Sequence, residues 1–178
     1  MPSAVTDEAR REIGDEGVWS LSSAKPGNGV DQLRDDSVDT YWQSDGAQPH
    51  LINVQFFRKM AVKEVALYLD FKLDESYTPK KLSVRAGSTV QDLKEIHVQH
   101  VVEPSGWVCI PLFDNDDGTD ERPLRTFFLQ IAVLAMHQNG RDTHIRQVKI
   151  YAPREAGALD QSLPEPSTPQ FWAYASIR

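Results

Sequence analysis

Apolar residues in this chain recur at every second position, and that period restricts what the chain can fold into. A spacing of two marks strands whose side chains alternate between a core and its outside, whereas a helix shows a spacing near 3.6. Ile52, Val54 and Phe56 alternate with Asn53 and Gln55. Val65, Leu67 and Leu69 follow, then Leu82 and Val84, Ile96 and Val98, and Val108, Ile110 and Leu112. Phe127, Leu129, Ile131 and Val133 form the strongest run, and Val148 and Ile150 close the series. With Val18–Leu21 at the front, about eight or nine strands are expected. Turn signals separate them, among them Pro26-Gly27-Asn28-Gly29, Ser44-Asp45-Gly46, Pro104-Ser105-Gly106 and Asn139-Gly140. Only Val30–Arg34 and Thr6–Ile13 read as briefly helical, and both are too short to stand alone. With no βαβ alternation and no internal repeat, the pattern predicts an all-β sandwich or jelly roll with short helical turns.

A chain of 178 residues with 40% hydrophobic and 25% charged residues can bury roughly two-thirds of its unfolded surface without disulfides or metal. Three segments are expected: residues 1–16 as an N-terminal segment, 17–153 as the sandwich, and 154–178 as a flexible tail. The tail carries Pro164, Pro166 and Pro169 without apolar periodicity. Its aromatic end, Phe171-Trp172-Ala173-Tyr174-Ala175-Ser176-Ile177-Arg178, suits a docking peptide better than a solvated terminus. Cys109 is the single cysteine, which excludes an internal disulfide and a CxxC zinc site and points to a reducing compartment. Its place within Trp107–Leu112 reads as that of a small buried hydrophobe. A net charge of −7 repels phosphate backbones, so no nucleic-acid partner is expected. No stretch approaches the roughly 20 apolar residues of a membrane span, and the acidic N-terminus is unlike a signal peptide. The expected location is nucleus and cytoplasm, with no membrane partner.

Catalytic motifs are missing from the sequence. There is no Gly-x-Ser-x-Gly, no phosphate-binding loop and no dinucleotide fingerprint, so no catalytic residue is assigned and an enzymatic reading starts weak. The five histidines, His50, His97, His100, His137 and His144, lack metal-ligand spacing. The run Asp114-Asn115-Asp116-Asp117-Gly118 resembles a calcium loop only at its start, because Gly118 and Arg125 occupy ligand positions. No metal or cofactor is expected, and the run reads as a solvated turn.

Polar loops are the informative features. His137-Gln138-Asn139-Gly140-Arg141-Asp142-Thr143-His144 joins the two most apolar strands and is rich in hydrogen-bonding groups, as binding loops are. The same residues also read as a left-handed Asn139-Gly140 turn capped by Asp142. Tyr41-Trp42-Gln43-Ser44-Asp45-Gly46 and Asp74-Glu75-Ser76-Tyr77-Thr78-Pro79 are two further clusters. Trp42 either plugs one end of the sandwich or joins a shallow site at the rim where loops from alternate strand ends gather. Such a rim suits an extended peptide or a sugar.

At these residues the chain resembles the Doc-domain subunit family (subunit 10) of the anaphase-promoting complex, or cyclosome. The resemblance runs from about Arg11 to Pro153. It includes Glu12-Ile13-Gly14, Val18-Trp19-Ser20-Leu21, Lys25-Pro26-Gly27, Gly29 to Asp36, Thr40 to Gly46, Asp74 to Pro79, Val102 to Trp107 and His137 to His144. It implies a galactose-binding-like jelly roll without a catalytic centre, serving as a substrate-recognition subunit of a multi-subunit ubiquitin ligase in mitosis. The implied role is that of co-receptor for a destruction-box degron, shared with a WD-repeat coactivator and promoting processive ubiquitination. Carried over by motif, the degron-binding candidates are Asn139, Arg141, Asp142 and His144, with Ser44, Asp45, Ser76 and Tyr77 as rim neighbours. The family also ends in an Ile-Arg dipeptide that docks on a tetratricopeptide-repeat scaffold subunit, and this chain ends in Ile177-Arg178. A coil from 154 to 176 would reach on the order of 25 Å. The rival expectation is an intracellular carbohydrate-binding module that uses Trp42 or Tyr77 as a platform at the same rim.

Overall fold

The computed structural model describes residues 10–114 and 122–154. The chain divides into a unit of residues 12–152 and a second made of 1–11 and 153–178, of which residues 10, 11, 153 and 154 are described. The acidic turn after Asp114, the segment 1–9 and the tail ending in Ile177-Arg178 lie outside the described residues.

Among the described residues eleven strands alternate with short helical turns. They are β1 (Arg10–Glu12), β2 (Gly17–Leu21), α1 (Val30–Leu33), β3 (Trp42–Gln43), β4 (His50–Val62), β5 (Glu64–Asp70), α2 (Phe71–Asp74), β6 (Pro79–Gly87), β7 (Lys94–His100), β8 (Ser105–Pro111), β9 (Leu124–Met136), β10 (His144–Ile145) and β11 (Gln147–Pro153). Single 3-10 turns occupy Gly14–Glu16, Glu75–Tyr77, Val90–Asp92 and His137–Asn139. A five-stranded sheet in the order β2-β4-β9-β6-β7 faces a four-stranded sheet in the order β1-β11-β5-β8, and β3 pairs with β10 alone.

The period of two places the core. Ile52, Val54, Leu82, Val84, Leu129, Ile131 and Val133 from one sheet pack in one cluster with Val65, Leu67, Leu69, Ile110, Val148 and Ile150 from the other. All of them are fully buried, and each such side chain contributes about 1.5–3 kcal/mol through apolar burial. Trp42 is fully buried and donates its indole N–H to the Ser23 carbonyl at 2.9 Å. It is the plug that one of the two sequence readings expected.

Four local expectations are corrected. Arg10–Glu12 is extended, not helical: Glu12 Oε2 accepts from the Gly14 and Ile150 backbone N–H groups at 2.9 and 3.0 Å and from Arg34 Nη1 at 3.1 Å. These bonds tie this stretch to a strand. Helix α2, unmarked by periodicity, forms because the Asp70 carboxylate accepts from the Lys72 and Leu73 N–H groups at 3.1 and 3.3 Å, an N-cap. Cys109 is exposed, because the alternation in β8 turns Ile110 inward and its neighbour outward. In β7 a register shift beside Val84 sets His97 opposite Val84 and Val98 opposite Ser83, so Val98 faces away from the core.

The outer face of the large sheet carries a polar row. Asn53, Gln130, Arg85 and Glu95 lie side by side on β4, β9, β6 and β7. Gln130 donates to Asn53 at 2.9 Å and accepts from Arg85 at 3.1 Å, while Ser83 donates to Glu95 at 2.6 Å. Gln130 and Ser83 are therefore buried although they point outward.

Candidate functional site

At one end of the sandwich, strand β5 runs into α2, whose last residue, Asp74, turns inward and is buried. Strand β10 brings His144 to the same place, and Arg146 follows after Ile145. Arg146 grips Asp74 in two hydrogen bonds, Nε to Oδ2 at 3.0 Å and Nη2 to Oδ1 at 2.8 Å. Its remaining nitrogen donates to the Val38 carbonyl at 2.7 Å. Burial disfavours the charge on Asp74. Hydrogen bonds from His144 and Arg146, together with the guanidinium charge, outweigh it and hold the carboxyl below the usual carboxylate range. The Arg146 pKa is raised in turn, first by its hydrogen bond to Asp74, against the opposing effect of burial.

The His144 ring completes this foundation. Nδ1 lies 3.0 Å from Asp74 Oδ1, and Nε2 lies 3.0 Å from the Gln43 side-chain amide. Tyr41 and Tyr77 stack on its two faces, each with a centroid separation of 4.0 Å. Arg146 also sits 5.3 Å over the Tyr41 ring. A charged pair and three stacked rings thus occupy the floor of the loop cluster, where satisfied polar networks rigidify a site.

Above this floor the segment 137–143 is pinned at several points. Gln138 and Asn139 both adopt a left-handed backbone with φ of 54°. Gly140 does not, with φ of −64°; it is glycine because a Cβ there would overlap the Ser76 carbonyl. The expected left-handed turn is therefore present but sits one residue earlier. Gln48 Nε2 donates to the Gly140 and Arg141 carbonyls at 3.1 and 3.2 Å, and buried His50 binds the Arg141 carbonyl at 2.6 Å through Nε2. Ser44, fully buried, accepts from the Thr143 N–H at 2.9 Å and donates to Asp142 at 3.1 Å.

The eight candidates therefore separate by position. Asn139, Arg141, Asp45 and Tyr77 are exposed, Asp142 and Ser76 are half-buried, and Ser44 and His144 are buried. Ser44 and His144 hold their neighbours and present no surface of their own. Trp42, being fully buried, offers no face to a sugar, and one face of Tyr77 is taken by His144. Sequence reading did not select Asp74, Arg146, Tyr41, Gln48 or His50. Asp74 and Arg146 did stand inside or beside the polar clusters, a weak local signal. Among the described residues no group of His, Cys, Asp or Glu converges as a metal site. The lip offers an amide, a guanidinium and a carboxylate on a fixed backbone, suited to hydrogen-bonding a polar chain.

The fold defines a class first, that of galactose-binding-like jelly rolls. It superposes with a TM-score of 0.64 on the family 32 carbohydrate-binding module of Clostridium perfringens NanJ, solved with galactose, at 14% identity over 80% of this chain and 98% of that one. A second module from Clostridium perfringens, solved with GalNAc-β-1,3-galactose, gives 0.65 at 9% identity over 80% of this chain and all of that one. At such identities the likeness is one of fold alone.

Sequence relatives are far closer. Residues 3–176 match the family described as anaphase-promoting complex, subunit 10 (APC10). The chain is 58% identical over 168 residues to anaphase-promoting complex subunit 10 of Homo sapiens, covering 94% of this chain and 88% of that protein. The Drosophila melanogaster protein is 50% identical, with coverage of 94% and 85%. Subunit DOC1 of Saccharomyces cerevisiae is 36% identical, with coverage of 83% and 60%. The chain belongs to the anaphase-promoting complex subunit 10 family, and so to the subunits of a ubiquitin ligase complex, the cyclosome.

Proposed function

We propose that the chain is the non-catalytic substrate-recognition subunit of this ligase, a co-receptor that holds one side of a destruction-box degron while a WD-repeat coactivator holds the other. Asn139 and Arg141 make the contacts, with Asp142, Asp45, Ser76 and Tyr77 at the margin. Ser44 and His144 act through them as positioning residues. One observation carries this reading: exposed Asn139 and Arg141 sit on backbone anchored by Gln48, His50, Ser44 and the Gly140–Ser76 contact. Donors fixed before binding lose little entropy on binding. A hydrogen bond to a charged group contributes about 1.5–3 kcal/mol when desolvated, so the isolated subunit binds a degron weakly. Sharing the peptide with a second receptor raises effective concentration and processivity. The Ile177-Arg178 terminus anchors the subunit to a tetratricopeptide-repeat scaffold through its carboxylate, guanidinium and one apolar side chain.

The test is Asn139→Ala with Arg141→Ala in the assembled complex. The expected result is shorter ubiquitin chains per substrate encounter with undiminished incorporation of the subunit. Unchanged processivity would overturn the reading. Removal of Ile177-Arg178 is expected to do the reverse, weakening incorporation while residues 12–152 stay folded.

A further inference from the structure

We propose a second docking site, at the end of β9 remote from the lip, that takes an extended acidic peptide carrying one large apolar side chain. Strand β9 leads into the lip after Met136. Twelve residues back, at about 3.3 Å per residue, its other end at Leu124 lies roughly 40 Å away. There a cavity of about 260 Å³ opens between the end of β6, the start of β7 and the β4 segment around Lys59.

The lining of this cavity has two chemistries. Ile96 and Leu124 supply an apolar wall, and Phe127, 39% exposed, stands beside them. Lys59, Lys94 and Arg125 surround it. All three are exposed, and none forms an ion pair among the described residues. Two carboxylates also line the cavity, Asp92 and Asp114. Asp92 is already committed to its own turn, accepting from the Ser88 and Thr89 N–H groups at 2.8 and 2.9 Å.

Among the described lining residues three cations, Lys59, Lys94 and Arg125, outnumber the two carboxylates, Asp92 and Asp114, and that excess sets the charge of the occupant. The volume sets its size. Small-molecule sites run to about 300–1,000 Å³, so this cavity seats a single side chain. An apolar anchor in a pocket with a polar rim is the usual anatomy of a binding hot spot. A peptide that alternates Asp or Glu with one Phe or Leu matches both features. Through this site and the lip together, the subunit can hold two chains at once.

The experiment uses the full chain and a fluorescein-labelled peptide with a central Phe flanked on both sides by Asp and Glu, read by fluorescence polarisation. Saturable binding is expected, weakening as salt is raised. Replacing the peptide's Phe by Ser is expected to weaken it at least ten-fold. Lys59→Glu with Arg125→Glu is expected to do the same. Lys80→Glu with Lys81→Glu, and separately Arg141→Ala, are expected to leave it unchanged. Far-ultraviolet circular dichroism and melting curves of each variant establish that it folds. The proposal is overturned if the Phe and Ser peptides bind alike, if the Lys59 and Arg125 reversal has no effect, if Arg141→Ala abolishes binding, or if a single-stranded oligonucleotide binds the cavity more tightly than the peptide does.

Discussion

Asp74 and Arg146 lie 72 positions apart in sequence and share two hydrogen bonds beneath the lip, with side chains 3% and 8% exposed. A pair this buried gives little net stability compared with an apolar substitute of equal volume, but breaking it strands a charge.

Asp74→Asn is therefore expected to cost about 3–5 kcal/mol, measured by urea unfolding at neutral pH. Because the folded-state pKa of Asp74 is lowered, its contribution is complete above the unfolded value of about 3.9. It is lost as pH falls through the lower folded value. The gap between wild type and variant should stay level from neutral pH to about pH 5 and close below about pH 4. A gap that widened in acid would contradict the assignment.

Gly140→Ala drives a methyl group into the Ser76 carbonyl. We expect a loss of about 1–3 kcal/mol and backbone chemical-shift changes concentrated at Ser76 and Arg141, with the distant β7 unmoved. Uniform changes across the domain would show that the contact is not local.

Glu12 receives the Gly14 and Ile150 N–H groups and both terminal nitrogens of Arg34. Glu12→Ala leaves those donors without their acceptor and should cost about 1–3 kcal/mol. Glu12→Gln, which keeps one acceptor oxygen, should cost less, and equal costs would refute the role given to the carboxylate.

Cys109 is exposed, so a maleimide reagent should label it in the native protein without denaturant. Cys109→Ser should shift stability by no more than about 0.5 kcal/mol. Labelling only on unfolding would restore the buried thiol that the alternation suggested.

The strands and the core were legible because a period of two is a local property: Ile52, Val54, Leu129 and Ile131 announce their inward faces by spacing alone. Helix α1 was legible for a similar reason, within a stretch marked by turns at both ends. What escaped was set by partners distant in sequence. Nothing near Cys109 says that Ile110 has the inward place, and nothing near His97 reveals the register shift that exchanges the faces of β7. The lip itself was readable as a run of polar residues. Its foundation was not, because Asp74, Tyr41 and Arg146 acquire meaning only when α2, the segment before β3 and β10 meet. The same long-range closure explains why Ser44 and His144, polar and beside exposed residues in sequence, are buried in the fold.

Among the described residues strand β3 pairs with one other strand, β10, and β5 lacks one neighbour until β11 is in place. A nascent chain that has left the ribosome only as far as Met136 therefore lacks the strand that pairs with Trp42–Gln43, whose Gln43 backbone is held only by Lys25 and Asn28, and has a bare β5 edge. Unfinished or prematurely terminated copies expose a sticky flank that chaperones and proteases can recognise. They also lack His144 and Arg146, so the foundation beneath the lip is completed only after the chain has passed Arg146.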